Sequence, residues 1–169
     1  MNSRISSDSK YLRIVRDILE NDEFQKTKNI THHGMTRFDH SVRVSYYSYK
    51  IAKLLFLDYK DVARAGLLHD FFFTDNKSIR IKTRVYTLYN HPKFALSNAS
   101  KNFNLSDKEK DIIRSHMFPV NIYAPRYLES WIVDLVDNIV AIYEASTRFG
   151  KTMHKFSTAI FILFLTIFK

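Results

Sequence analysis

His69 and Asp70 combine an imidazole and a carboxylate at the end of an apolar run. The residues before them, 63–68, read Ala-Arg-Ala-Gly-Leu-Leu, and three phenylalanines follow. Burying both polar groups costs free energy unless hydrogen bonds or a cation compensate them. The pair therefore suggests a metal site. By itself a His-Asp dipeptide is a weak motif, because a hydrogen-bonded core histidine explains it at least as well.

Further histidines and a second isolated aspartate strengthen the metal hypothesis. The candidate ligands, each on or at the end of a predicted helix, are His40, His69, Asp70, His91, His116 and Asp137. Four imidazoles and two carboxylates suit two divalent ions if Asp70 bridges them and water fills the other positions. The sequence contains no cysteine, so thiolate ligands, thiolate nucleophiles and disulfides are excluded.

Most of these ligands also have a purely structural interpretation. His40 could lie on a helix surface, His91 in a loop, and His116 beside the negative end of a helix dipole. His154 suits the surface. Asp137 lies among isoleucine and valine residues, where a structural role has no obvious explanation.

Length and composition predict one helical domain. The chain has 169 residues, of which 46% are hydrophobic, with only three glycines and three prolines, a composition that favours long elements over tight turns. The net charge of +9 favours anionic partners such as nucleic acid, acidic lipid or a phosphorylated small molecule. The basic residues are scattered, however, and a solvated surface accounts for most of them. Residues 1–10 lack a secretory apolar core, which favours a cytoplasmic location.

Apolar periodicity predicts the helices that must position these residues. They are a helix over residues 8–21 capped by Ser7 or Asp8, one over 36–57, one opening near Asp58 or Lys60, one starting at His91-Pro92, one with a Ser106–Glu109 capping box, and one over 127–146. The small side chains of Ala63, Ala65 and Gly66 would let another backbone approach closely. Residues 75–90 fit extended chain or a loop over a cleft and stay unassigned.

The helix over residues 127–146 is predicted to bury a broad apolar set, namely Leu128, Trp131, Ile132, Leu135, Val136, Ile139, Val140 and Ile142. The tail, residues 156–168, is apolar nearly all round but shorter than the roughly 20 residues that span a bilayer. The favoured interpretation is a closing core helix. A monotopic membrane contact comes second and a transmembrane span last.

Five motifs in order resemble the HD-domain superfamily of metal-dependent phosphohydrolases. They are RFDHSVR (37–43), AGLLHD (65–70), HP (91–92), DIIRSH (111–116) and VDNIVA (136–141). The resemblance covers residues 31–144. It implies an all-α helical bundle with the metal site in the helix core. Together with the length and the apolar tail, this predicts a single domain over residues 1–169 with a C-terminal apolar helix over 152–169.

The six-residue ligand set looks like the two-metal branch of that superfamily. By resemblance, His40, His69, Asp70 and Asp137 would hold one divalent ion, and Asp70, His91 and His116 the second, with His69 and Asp70 at the catalytic centre. Iron, manganese, cobalt, nickel and zinc all suit such ligands. The chain is also similar to bacterial hydrolases that split diadenosine tetraphosphate, which implies a phosphoester or phosphoanhydride of a nucleotide as substrate. That similarity is weak in residues 75–90, so substrate identity stays open.

Basic and polar residues near the motifs are the candidate substrate contacts. They are Arg37, Arg43 and Lys93, the further cations Lys77, Arg80, Lys82 and Arg84, and the polar residues His32, His33 and Asp75. A rival hypothesis is that the fold binds a nucleotide or nucleic acid without hydrolysing it. The oligomeric state stays open, and a homodimer is among the possibilities.

Overall fold

The computed structural model describes residues 3–32, 35–73 and 81–167, with the backbone alone for residues 3, 32, 81–84, 148 and 151–167. The α-helices are α1 Ser3–Ser6, α2 Ser9–Leu19, α3 Asp22–Gln25, α4 Arg37–Leu54, α5 Tyr59–Leu68, α6 Ile81–Asn102, α7 Asp107–Ser115 and α8 Leu128–Ile167. A 3-10 turn spans Lys26–Asn29. The strands of the described residues are β1 Thr31–His32 and β2 Met35–Thr36, an antiparallel pair joining Thr31 to Thr36. The all-α prediction is confirmed.

Local capping signals start α2, α5 and α7 where the sequence predicts. The Asp8 side chain accepts a hydrogen bond from the Tyr11 amide at the start of α2, and Asp58 caps α5 in the same way. At α7, Ser106 and Glu109 form the predicted capping box. These side chains accept hydrogen bonds from amides that have no partner within the first helical turn.

The core lies where α4 packs against α5 and α8, with α7 behind them. The close approach expected at the small residues of α5 is present, because a Cβ on Gly66 would lie 3.0 Å from the Ser45 Cα of α4. Beside this contact, the buried Tyr11 hydroxyl of α2 donates a hydrogen bond to the Ser45 Oγ at 2.8 Å. The packing brings the first turn of α4 and the last turn of α5 side by side.

The helix predicted to start at His91-Pro92 begins ten residues earlier. Helix α6 runs from Ile81 to Asn102 with Pro92 in its interior, so residues 81–90 are helical rather than extended or loop. Proline lacks the amide that would bond the carbonyl of Leu88. The His91 side chain replaces that donor, because its Nδ1 lies 2.8 Å from the Leu88 carbonyl oxygen. The Leu88 carbonyl thus accepts a side-chain hydrogen bond in place of a backbone one, and this bond orients the His91 imidazole.

Helix α8 differs from the prediction in both length and burial. It is one 40-residue helix that includes most of the apolar tail, which was expected to form a separate helix. Its inner face buries Val133, Val136 and Val140. The predicted burial is wrong for an outer set that is exposed: Leu128, Trp131, Leu135, Ile139 and Ile142. Apolar residues occur on two sides of this helix, and only one side meets α4 and α7. No helix within the described part of the chain is long and apolar enough to cross a bilayer.

Candidate metal centre

The first group of converging side chains joins α4, α5 and α8. The Nε2 of His40 lies 2.9 Å from the Asp137 Oδ1, and the Nε2 of His69 lies 3.5 Å from the same oxygen. Both imidazoles are buried. His40 stands in the first turn of α4, His69 directly follows α5, and Asp137 lies on the inner side of α8. These three residues have the spacing of a metal site.

The second group lies beside the first and brings in α6 and α7. The Oδ1 of Asp70 lies 3.4 Å from the His91 Nε2 and 4.0 Å from the His116 Nε2. The two Nε2 atoms are 3.0 Å apart. His69, Asp70 and His116 again have the spacing of a metal site. All six predicted ligands therefore meet in one buried cluster.

Peptide carbonyls fix the orientation of three of the imidazoles. The Nδ1 atoms of His69, His91 and His116 lie 2.8 Å from the carbonyl oxygens of Gly66, Leu88 and Ile113, each three residues earlier. Carbonyls only accept hydrogen bonds, so each Nδ1 carries a proton and each ring turns its Nε2 toward the cluster. Burial opposes the charge on His69, but Asp137 and Asp70 outweigh it and raise the pKa of that ring. Gly66 and Ile113 belong to last turns of helices, where carbonyls lack helical partners.

Electrostatics favour a cation between these rings. Burial, followed by the neighbouring His69 and His91, lowers the pKa of His116 to about 3. Burial also lowers the pKa of His91. Both rings are therefore neutral near pH 7, and two lone pairs face each other across 3.0 Å. The buried Nε2 of His69 makes no hydrogen bond of normal geometry within the described residues. A metal ion would turn these repulsions into bonds, so the donor set fits divalent metal.

His40 is held between two carboxylates. Its Nδ1 lies 2.9 Å from the Oε2 of Glu144, a fully buried residue that the sequence analysis missed. Burial opposes the charge on His40, but the hydrogen bonds to Asp137 and Glu144 outweigh it and raise its pKa to about 10. The pKa of Asp137 is well below its usual range, because His69 and His40 outweigh the effect of burial. Glu144 follows Asp137 by two helical turns, a spacing that could have identified it.

A sequence model of the HD-domain family matches residues 37–142, which include all six candidate ligands. The chain belongs to the HD-domain family. Members of this family are generally metal-dependent phosphohydrolases. No protein with a curated function matches the chain. The family match ends two residues before Glu144.

Arg37 lies inside the HD-domain site. Its guanidinium stacks on the Phe72 ring at 3.8 Å, donates to the Phe72 carbonyl oxygen, and places Nε 3.8 Å from the Asp70 Oδ2. Burial lowers the pKa of Arg37, and Asp70 opposes that shift. Nearby, burial and then Asp137 raise the pKa of Asp134 to about 7.

The other predicted substrate residues lie outside this HD-domain cluster or outside the described residues. Arg43 lies 3.6 Å from the Glu144 Oε1, and Lys93 is exposed beside His91. For His32, Lys82 and Arg84 the structure describes only the backbone. Four candidates fall outside the described residues, namely His33, Asp75, Lys77 and Arg80.

Proposed function

We propose that this HD-domain protein hydrolyses a phosphoester or phosphoanhydride of a nucleotide or similar phosphorylated metabolite, with two divalent ions as cofactors. The observation that carries the proposal is the pair of unprotonated Nε2 atoms of His91 and His116, 3.0 Å apart and next to the Asp70 carboxylate. A folded protein gains nothing from opposing two buried lone pairs unless a cation or proton joins them.

The ligands divide into two sets that share one carboxylate. His40, His69, Asp70 and Asp137 form the first set, and Asp70, His91 and His116 form the second. Asp70 suits the shared position because its Oδ1 lies 3.4 Å from the His91 Nε2 of the second set, and its carboxylate also has ligand spacing to His69 of the first set. Divalent ions in such sites lower the pKa of water and neutralise phosphate oxygens.

The protein itself supplies ligand charge, ligand orientation and a dry environment. Asp137 is ionised at neutral pH because its pKa lies well below the usual range. The Arg37 guanidinium balances part of the Asp70 charge from the side opposite His91. The buried Phe72 packs its ring 5.1 Å from the His91 ring and helps to keep bulk water from the cluster. A low local dielectric strengthens each electrostatic contact with a phosphate group.

Substrate phosphates beyond the metal site would meet the basic residues around it. Lys93 is the best placed of the described candidates, since it is exposed and adjoins His91. Arg43, His32, His33 and Asp75 remain further candidates, although Arg43 already approaches Glu144. The net charge of +9 favours anionic substrates in general. A nucleotide polyphosphate fits this combination of charge and chemistry.

The test compares metal content and hydrolysis in the wild type and two aspartate variants. Nucleotides and dinucleoside polyphosphates are screened with added manganese, cobalt, iron, nickel or zinc, and bound metal is measured by mass spectrometry. Asp70→Asn should lose the metal of the second set and hydrolysis together. The control is Asp111→Asn, because Asp111 is also buried but bonds Arg126 and Ser130 instead.

Two outcomes would contradict the proposal. One is full hydrolysis by Asp70→Asn, or by wild type in the presence of a strong chelator. The other is salt-dependent binding of oligonucleotides without phosphate release under every metal condition, which would favour a binding protein over an enzyme.

A further inference from the structure

The outer side of α8 exposes a line of large apolar residues. Leu128, Leu135, Ile139, Ile142 and Phe149 have between 56% and 69% of their surface exposed. Isolated apolar residues on a surface are ordinary, but a continuous apolar line along one helix marks an interaction site. We refer to these five residues as the α8 seam.

The spacing of the α8 seam follows a seven-residue repeat rather than the 3.6-residue period of a single helix. With Ile132 and Ser146 included, the steps from Leu128 to Phe149 alternate between four and three residues. The sequence continues the same alternation to the end of the helix, through Met153, Phe156, Ile160, Leu163 and Ile167. A heptad repeat sustained over more than four heptads is typical of a coiled coil.

We infer that α8 packs along its seam against α8 of a second copy of this chain. The positions that flank the repeat from residue 136 to 166 contain no charged residue: they are Val136, Asn138, Tyr143, Ala145, Gly150, Thr152, Ser157, Ala159, Phe164 and Thr166. The chain has a net charge of +9, so most surfaces of two copies repel each other. An uncharged seam lets a second copy approach without like charges in contact.

The length of the seam is sufficient for a stable dimer. A helix of 40 residues is about 60 Å long and about 10 Å wide. The projected area of one side is therefore roughly 600 Å² per copy, treated as a smooth surface. Two copies would thus bury roughly 1,200 Å² in total, which is below the roughly 1,600 Å² of a standard interface but above the roughly 1,000 Å² expected of a biological one. A groove of about 490 Å³ between α4 and α8 meets the seam at Ile139 and extends its largely apolar surface. Its lining includes Tyr47, Ile51 and Tyr143 and one charged residue, Arg43.

The seam lies away from the metal-facing side of α8, so the dimer is compatible with catalysis in each copy. Asp137 and Glu144 face His40, whereas Ile139 and Ile142 are exposed. Substitutions in the seam therefore change association without removing a ligand.

The first test measures the mass of the full chain by sedimentation velocity over a range of concentrations. Wild type should be a dimer, and Ile139→Glu combined with Ile142→Glu should raise its dissociation constant about 30-fold or more, as expected for hot-spot residues. The control is Leu54→Glu, an equally apolar and exposed site on α4 that should leave the dimer intact. Circular dichroism and metal content verify folding in each variant.

The second test uses the absence of native cysteine. Leu135→Cys, Ile142→Cys and Phe149→Cys are oxidised separately, with Tyr86→Cys on α6 as the control. Disulfide dimers at all three seam positions would indicate parallel helices. A disulfide dimer at one seam position alone would indicate antiparallel helices. A monomeric wild type or an unchanged dimer in the double variant would overturn the inference, as would disulfide dimers of Tyr86→Cys without any at a seam position. So would a monomer that binds anionic phospholipid vesicles, since the seam would then be a membrane contact.

Discussion

Removing the Glu144 carboxylate should weaken the metal site without removing a metal ligand. Glu144 is buried, and its Oε2 accepts a hydrogen bond of 2.9 Å from the His40 Nδ1. In Glu144→Ala this buried N–H loses its acceptor, and the imidazole loses the partner that fixes its orientation. Loss of such an outer partner typically lowers metal affinity about 10–100-fold, or about 1.4–2.7 kcal/mol. Glu144→Gln should show a smaller loss because an amide oxygen can still accept the bond.

The assay is titration of metal-free protein with manganese or zinc by calorimetry, combined with NMR of the His40 ring. The pKa of His40, raised to about 10 in the wild type, should fall in Glu144→Ala because one of two raising hydrogen bonds is removed. The matched control is Glu109→Ala, since Glu109 is buried to the same degree but bonds Arg64 at 2.9 Å. Equal metal affinity in Glu144→Ala and Glu109→Ala would refute the positioning role.

Three further predictions address the metal, the helix contact and an ion pair. Zinc or manganese at 100 times its dissociation constant should raise the free energy of unfolding by about 2.7 kcal/mol for each ion bound, measured by calorimetry, and a chelator should reverse the gain. Gly66→Ala should lower stability in urea, because a Cβ there lies 3.0 Å from the Ser45 Cα and overpacking costs about 1–3 kcal/mol against about 1 kcal/mol of helix propensity. A stability gain of about 1 kcal/mol, the propensity benefit without any steric cost, would contradict that close approach. For Asp111, burial raises the pKa, but the hydrogen bonds of Arg126 and Ser130 outweigh it and lower the pKa below 3.8. The difference in free energy of unfolding between wild type and Asp111→Asn should therefore be at its full value above pH 3.8. It should shrink as the pH falls through the lowered pKa of Asp111 in the folded protein, and denaturation at a series of pH values measures it. A difference that grew on acidification would contradict the ion pair.

The sequence predicted which six imidazole and carboxylate groups converge, and where the capped helices α2, α5 and α7 begin, because both predictions depend on residue type and local order. Imidazole and carboxylate groups in an apolar setting need compensation wherever the fold brings them together. Caps such as Asp8 and Ser106 act on amides within three residues. Their effect can therefore be read without knowledge of the tertiary structure.

Features that depend on distant contacts were missed or mistaken. Glu144 is an ordinary helix residue until α8 packs on α4 and brings it to His40, 104 residues away. The start of α6 was placed at Pro92 because proline favours first turns, whereas the His91 side chain makes a proline acceptable in mid-helix. For α8, the sequence has apolar residues on two sides, and periodicity does not tell which side the rest of the chain covers.

The carbonyl contacts of His69, His91 and His116 have a consequence for assembly of the site. Each ring is aimed by a peptide group within one turn of its own helix, so it acquires its direction as soon as that helix forms. His40 differs from these three rings because its Nδ1 donates to a residue of another helix, Glu144 of α8. Detaching α8 would thus remove Asp137 and the partner of His40, while the rings of His91 and His116 kept their orientation. If the protein binds two ions as proposed, they should accordingly be released at different stages of unfolding.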